Sequence, residues 1–218
     1  MNRHILSAIL FSDIVGFSQM MGKNEDLTIN LIRKNRKLHK TLIKKYNGRW
    51  RKEMGDGTLA TFKTISEAVY CAGELIKSCG NEHIVLRIGI HLGEIVTDNG
   101  DIFGDAVNLA SRLESIANPG QIIISQAINR SIKNKPGICS RFLTNKVLKN
   151  IDEPIRIYSV SVDDSFIFNT QNHKSGNDRI KKIVLAVAAT TILLMSSVFS
   201  NSYVLGSFDP LYKITYQL

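Results

Sequence analysis

Residues 52–62 read KEMGDGTLATF, in which Gly-Asp-Gly separates two strand-like runs, Arg49–Met54 and Thr58–Phe62. An Asp-Gly pair between strand-like runs is a strong signal for a β-hairpin. The sequence therefore predicts a hairpin that carries Asp56 at its tip.

The segments around this hairpin alternate between strand and helix patterns. Further strands are predicted at Ile5–Phe11, Ile84–Ile90, Gly93–Thr97, Gln121–Ser125 and Ile155–Val162. Apolar residues at helical spacing predict helices from about Asn24 to Tyr46, from Ile65 to Cys79, and from about Asp105. Because hairpins interrupt the alternation, we expect an α+β fold with a mixed sheet flanked by helices.

The chain divides into four parts by composition. We expect a globular domain over 1–162, a polar and basic linker over 163–182, a transmembrane helix over 183–205 and a short non-cytoplasmic tail over 206–218. The 17 residues from Ile183 to Phe199 carry no charge, which is near the lower limit for crossing a bilayer; a buried core helix is the alternative. Basic residues just before this segment predict a single-pass membrane protein with its large N-terminal part in the cytoplasm.

The net charge of +9 is concentrated in one region, because ten Lys or Arg and no acid lie between Arg33 and Lys52. This run is either a solvated helix face or a surface that attracts an anionic membrane or phosphates. Aromatic residues appear in it only at Tyr46 and Trp50, so we expect no nucleic-acid partner. The three cysteines are widely spaced, which argues against a disulfide framework or a zinc site.

Two carboxylates stand where strands end. Asp13 follows a buried strand, and Asp56 lies at the tip of a hairpin expected beside that strand. Oxygen ligands of this kind hold hard cations that bring substrate phosphates with them. Gly16, in the loop after Asp13, lets backbone amides approach phosphate oxygens. The alternative is that each Asp is an ordinary turn or cap residue.

Three further polar residues suit phosphate chemistry. Asn108 and Arg112 are four apart and project from the same helix face, where they could stabilise an anionic transition state or simply face solvent. Arg87 lies inside an apolar strand, so its charge needs a partner, and a triphosphate would be one.

Five segments, in order, give the chain a family resemblance: AILFSDIVGFS, KEMGDGTLATF, LRIGIHLGEI, GDIFGDAVNLASRLE and LKNIDEPIRIY. Together they resemble the class III adenylate and guanylate cyclase catalytic domain over about residues 3–162. The resemblance implies a ferredoxin-like nucleotidyl cyclase fold for this region.

The resemblance also assigns roles to individual residues. Two divalent cations, Mg²⁺ or Mn²⁺, are expected on Asp13, the backbone carbonyl of Ile14, and Asp56. Asn108 is expected to orient the ribose, and Arg112 to stabilise the pentacoordinate phosphorus. The remaining substrate-binding residues that it implies are Gly16, Phe17, Arg87 and Lys149, with Lys146 as the alternative to Lys149.

The base is read by Lys52 and Asp101 in this resemblance. Lys52 can donate to N1 of adenine and Asp101 can accept from its amino group, which favours ATP as substrate and cyclic AMP as product. A one-residue slip would put Glu53 in the base-reading position and favour GTP. A catalytically silent nucleotide-binding homologue is the other alternative, whereas a cyclic-dinucleotide synthase is disfavoured because its Gly-Gly-Asp/Glu-Glu-Phe signature is absent.

Family members place the metal aspartates on one subunit and the base-reading and transition-state residues on the other. The chain carries both sets, so we expect a head-to-tail homodimer with two equivalent sites and an inactive monomer.

Overall fold

The computed structural model of the chain describes residues 3–98, 101–148, 153–163 and 165. Its strands are β1 (Arg3–Ile14), β2 (Arg49–Met54), β3 (Gly57–Phe62), β4 (Leu86–Asp98), β5 (Asp101–Phe103), β6 (Ile122–Ser125), β7 (Ile138–Lys146) and β8 (Ile155–Val162). Its helices are α1 (Phe17–Lys23), α2 (Glu25–Lys45), α3 (Ile65–Asn81), α4 (Asp105–Ser115) and α5 (Gln126–Ile132).

The strands form one mixed sheet in the order β2-β3-β1-β4-β6-β8-β7, with β5 paired to β4. Strands β4 and β6 run parallel, and the other pairs are antiparallel. The expected α+β architecture and the Gly-Asp-Gly hairpin are both confirmed. The turn itself is formed by Gly55 and Asp56, and Gly55 adopts the left-handed conformation (φ 63°) that glycine allows.

Helices cover both faces of the sheet. Because successive side chains of a strand point to opposite faces, each strand contributes to the cores on both sides. Along β1, Ala8 and Leu10 belong to the larger core beneath α2, α3 and α5. Ile9 and Phe11 belong to a second core beneath α4. This alternation decides on which side of the sheet each polar residue near the end of β1 lies.

Helix α2 begins at its Asn24 cap, whose side chain accepts a hydrogen bond from Leu27 N (3.0 Å). It closes at Asn47, which has a positive φ of 56°, as the Asn-Gly pair predicts. Helical spacing predicts an apolar stripe that includes Leu27, with Asn35 at a position of the same stripe. Asn35 is buried there, but Leu27 is 61% exposed, because the buried position of the first turn is Thr28.

Other boundaries differ from the sequence predictions. The two strands predicted at Ile84–Ile90 and Gly93–Thr97 are one strand, β4, which pairs without interruption along β1. Elements α1, α5, β5 and β7 were not predicted, and β7 is a mostly exposed edge strand without clean alternation. Such a strand leaves a weak signal in the sequence.

Within the described residues, no helix is long and apolar enough to cross a membrane. The predicted transmembrane segment 183–205 and the tail 206–218 lie outside those residues, as does the linker apart from 163 and 165.

Candidate active site

The two predicted metal carboxylates lie side by side. Strand β1 pairs with β3, which places the hairpin tip next to the end of β1. There the Asp56 carboxylate (Oδ2) accepts a hydrogen bond from the backbone N–H of Ile14, the residue after Asp13, at 3.0 Å. The expected meeting of hairpin tip and strand end is therefore confirmed, whereas the role of the Ile14 carbonyl stays a prediction.

The electrostatics of this pair suit a divalent cation. The pKa of Asp56 is raised to about 6, mainly by burial and then by its hydrogen bond to Asp13 and the charge of that carboxylate. A bound cation would relieve this repulsion. No group of three or more His, Cys, Asp or Glu side chains in the described part of the chain could hold a metal. Two carboxylates nevertheless fit Mg²⁺, which usually keeps waters and substrate phosphates as its other ligands.

Arg87 lies directly across from Asp13 in the β1–β4 register. Its Nη2 donates to Asp13 Oδ2 at 2.7 Å, and its Nε lies 3.1 Å from Oε1 of Glu114. A charge inside this strand does have partners, as expected, and in this structure they are two carboxylates.

Sequence reasoning missed Glu114. This carboxylate on α4 is only 7% exposed, and burial raises its pKa to about 7, against the opposing effect of the Arg87 charge. The sequence did contain a signal for Glu114, since this acid lies four residues after Ala110, on the helix face that is predicted to be buried. Such a position is rarely filled by an unpaired charge.

Lys52 and Asp101 are paired. The Lys52 ammonium donates to the Asp101 carboxylate at 2.9 Å, and this bond, with a second from Ile102 N, holds the pKa of Asp101 below its usual range. Lys52 and Asn108 line a cavity of about 400 Å³, whose apolar wall includes Phe11. The two residues expected to read the base therefore meet beside this cavity.

A β-bulge in β2 decides which side chain reaches the cavity. Trp50 pairs with Ala60, but the next paired residue is Lys52, opposite Leu59. Without the bulge Arg51 would occupy the position opposite Leu59, since a one-residue shift moves side chains to the other face.

Glu53, the alternative base-reading residue, points elsewhere. Its carboxylate accepts from Nε of Arg36 on α2 at 2.8 and 2.9 Å, and it does not line the cavity. Because α2 and α4 cover opposite faces of the sheet, Glu53 is turned away from the side that Lys52 faces.

Asn108 and Arg112 line a second cavity of about 440 Å³, and Asn108 is common to both cavities. The prediction that they share a helix face is confirmed. His91, which sequence reasoning did not select, also lines this cavity, and its Nδ1 lies 2.8 Å from Oγ of Ser125. Burial lowers the pKa of His91 to about 4, so its ring is neutral near pH 7.

The other predicted substrate residues have less defined surroundings. Gly16 has a φ of 75° and starts α1, whereas Phe17 packs against the larger core. Lys149 lies outside the described residues, and its alternative Lys146 is exposed at the end of β7. Their contacts with substrate stay predictions.

The metal carboxylates do not share a cavity with Lys52 and Asn108. Neither Asp13 nor Asp56 lines either of the two cavities formed around Asn108.

A family model, curated proteins and solved structures that resemble this chain all belong to the same family. The model of the adenylate and guanylate cyclase catalytic domain matches residues 1–147. The putative adenylate cyclase 3 of Rhizobium meliloti (strain 1021) is 34% identical over 74% of this chain and 29% of its own length. An adenylate cyclase of Streptomyces coelicolor is 32% identical over 55% of this chain and 32% of its own length. The chain thus spans about a third of the length of these curated relatives.

A solved structure of an adenylate/guanylate cyclase/hydrolase from Silicibacter pomeroyi shares the fold, with a TM-score of 0.69 and 35% identity over 75% of this chain and all of that one. The chain therefore belongs to the class III adenylate and guanylate cyclase catalytic domain family.

Proposed function

We propose that this class III cyclase is an adenylate cyclase, which converts ATP to 3′,5′-cyclic AMP and pyrophosphate for cyclic-nucleotide signalling. The observation that carries the proposal is the Lys52–Asp101 pair at the cavity that Asn108 also lines. The names of the relatives from R. meliloti and S. coelicolor support it.

The chemistry of the pair favours adenine. An ammonium group only donates hydrogen bonds and a carboxylate only accepts them. The adenine edge offers an acceptor at N1 and a donor at its amino group, whereas guanine offers the reverse pattern. Glu53, the residue that could accept from guanine in the alternative register, faces the other side of the sheet and is paired with Arg36 there, which further supports adenine.

The reaction forms a bond between the ribose 3′-oxygen and the α-phosphorus, and pyrophosphate leaves. Asn108 would orient the ribose and Arg112 would stabilise charge on the phosphorus oxygens. Asp13 and Asp56 would hold divalent cations, whose charge would lower the pKa of the attacking hydroxyl and stabilise the negative charge of the leaving pyrophosphate. Arg87 would bind the terminal phosphates beside them.

The assembly we propose is a head-to-tail homodimer, because the metal carboxylates of one chain do not line its own base cavity. Segment 183–205 would anchor the protein in a membrane with the cyclase domain in the cytoplasm.

The test is cyclic nucleotide production by the purified chain with Mg²⁺ or Mn²⁺, with ATP and GTP supplied separately. Cyclic AMP from ATP is expected, with loss of activity in Asp56→Ala and full activity in Asp26→Ala, a control that removes an exposed acid from α2. The combination of Lys52→Glu and Asp101→Cys should shift the preference toward GTP.

Cyclic GMP as the wild-type product would refute the base assignment and leave the enzyme class intact. No product from either nucleotide, in a sample shown to be dimeric, would refute catalysis and favour a nucleotide-binding homologue.

A further inference from the structure

Arg87 lies between two acids that come from different elements. Asp13 lies near the end of β1, at the predicted cation site, whereas Glu114 lies on α4. The Arg87 guanidinium contacts both, with its Nη2 at Asp13 and its Nε at Glu114. One end of the arginine therefore faces the metal carboxylates, and the other faces the interior.

Glu114 reaches Arg87 because α4 lies unusually close to β4. A Cβ built on Gly89 would lie 2.2 Å from the backbone N of Glu114 and 2.4 Å from the carbonyl O of Ala110. Only glycine permits this approach, so the sequence of β4 brings the Glu114 carboxylate to the buried side of Arg87.

The two contacts of Arg87 are unequal. The bond to Asp13 is a well-formed hydrogen bond, 2.7 Å long. Nε of Arg87 and Oε1 of Glu114 are 3.1 Å apart but are not aligned as a hydrogen bond, and neither atom has another hydrogen-bond partner in the described part of the chain. Alignment of the Nε–H with Oε1 of Glu114 would satisfy both atoms.

We propose that Glu114 is a positioning residue that keeps Arg87 in the active site when Asp13 ligates a cation. The inference rests on the proposed function. A cation that takes over the Asp13 carboxylate removes the better of the two partners of Arg87. Glu114 then fixes the guanidinium by Nε and leaves its Nη groups free to bind the terminal phosphates of the substrate. Without Glu114 the arginine would have no anchor in that state.

The test is a double-mutant cycle on binding of inorganic pyrophosphate, in the presence of Mg²⁺, measured by calorimetry. We expect Glu114→Gln to weaken binding roughly tenfold, the loss of one charged hydrogen bond. We expect Glu114→Gln to add nothing in an Arg87→Met background, because Glu114 acts through Arg87. Glu114→Asp, which keeps the charge but shortens the side chain by one methylene, should be intermediate.

Glu74→Gln is the matched control. Glu74 is also a largely buried carboxylate, and its ion pair with Lys45 lies on the side of the sheet opposite to α4. Its substitution should therefore lower stability without changing the position of Arg87. Pyrophosphate affinity should be unchanged in this variant, while thermal unfolding of all variants separates stability from binding.

An equal loss of affinity from Glu114→Gln in both backgrounds would overturn the proposal, as would a wild-type protein that does not bind pyrophosphate. Binding that depends on Arg87 and Glu114 in a protein that makes no cyclic nucleotide would support this inference and refute the proposed function.

Discussion

His39 predicts a pH-dependent part of the stability of the domain. His39 lies on α2, and its fully buried ring contacts the Asn35 carbonyl of the same helix and the Ser12 hydroxyl of β1. Nδ1 lies 3.0 Å from the carbonyl O of Asn35, which can only accept, so Nδ1 carries the proton. In the neutral ring Nε2 then accepts from the Ser12 hydroxyl at 2.8 Å. Protonation of Nε2 would disrupt this arrangement.

Burial lowers the pKa of His39 from 6.5 to about 4. Between about pH 4 and pH 6.5 the unfolded chain binds a proton at His39 that the folded chain does not, so stability rises with pH in this range. The contribution is fully present above about pH 6.5 and is lost as the pH falls toward 4. The shift corresponds to about 3 kcal/mol in total, of which about 2 kcal/mol is lost between pH 7 and pH 5.

Asp56 and Glu114 act in the opposite direction. Their raised pKa values mean that the folded chain binds their protons more readily, so their contributions to stability fall as the pH rises through the same range. The wild-type pH profile alone therefore does not isolate His39. The difference between the wild type and His39→Gln does, because the opposing groups are common to both proteins.

Trp50 provides the assay. It is the single tryptophan of the chain, and its ring packs edge-on against His39 with the ring centroids 6.4 Å apart. Urea unfolding followed by its fluorescence should show that wild-type stability falls by about 2 kcal/mol more than that of His39→Gln between pH 7 and pH 5. Parallel stability curves for the two proteins would refute the argument that His39 is buried as the neutral ring.

Two further predictions concern the helix packing and the metal site. Gly89→Ala should destabilise the domain by about 1–3 kcal/mol or more, because its new methyl group would overlap the α4 backbone. Gly80→Ala, in α3 with open space around the same methyl group, should stabilise it by up to about 1 kcal/mol; equal thermal unfolding shifts in the two variants would contradict this. The Mg²⁺ concentration that gives half-maximal cyclase activity should rise as the pH falls below about 6, where Asp56 becomes protonated, and a value constant from pH 5 to pH 8 would exclude its role as a ligand.

Local sequence patterns predicted the parts of the fold that depend on near neighbours. The hairpin at Asp56 follows from turn chemistry, and the end of α2 at Asn47 follows from helix-closing residues. The shared face of Asn108 and Arg112 follows from helical periodicity. In each case the interacting residues are only a few positions apart.

What the sequence did not reveal depends on distant contacts. The ion pairing of Glu114 with Arg87 joins residues on α4 and β4 and exists only because Gly89 lets the two elements approach. The joining of two predicted strands into β4 depends on continuous pairing with β1. A single sequence carries no signal for such pairings, since either partner alone is compatible with other neighbours.

Because of the bulge, strand β2 could lose one residue without moving Lys52 to the other face of the sheet. Trp50 is fixed by the core on one side of the bulge, and Lys52 is fixed by the hairpin on the other. Deletion of Arg51 would join these two residues in ordinary alternation and leave both on their present faces. The position of Lys52, which we propose selects the nucleotide, is therefore set by its distance along the chain from the hairpin tip at Asp56. A relative that lacks the residue corresponding to Arg51 should keep the same selectivity.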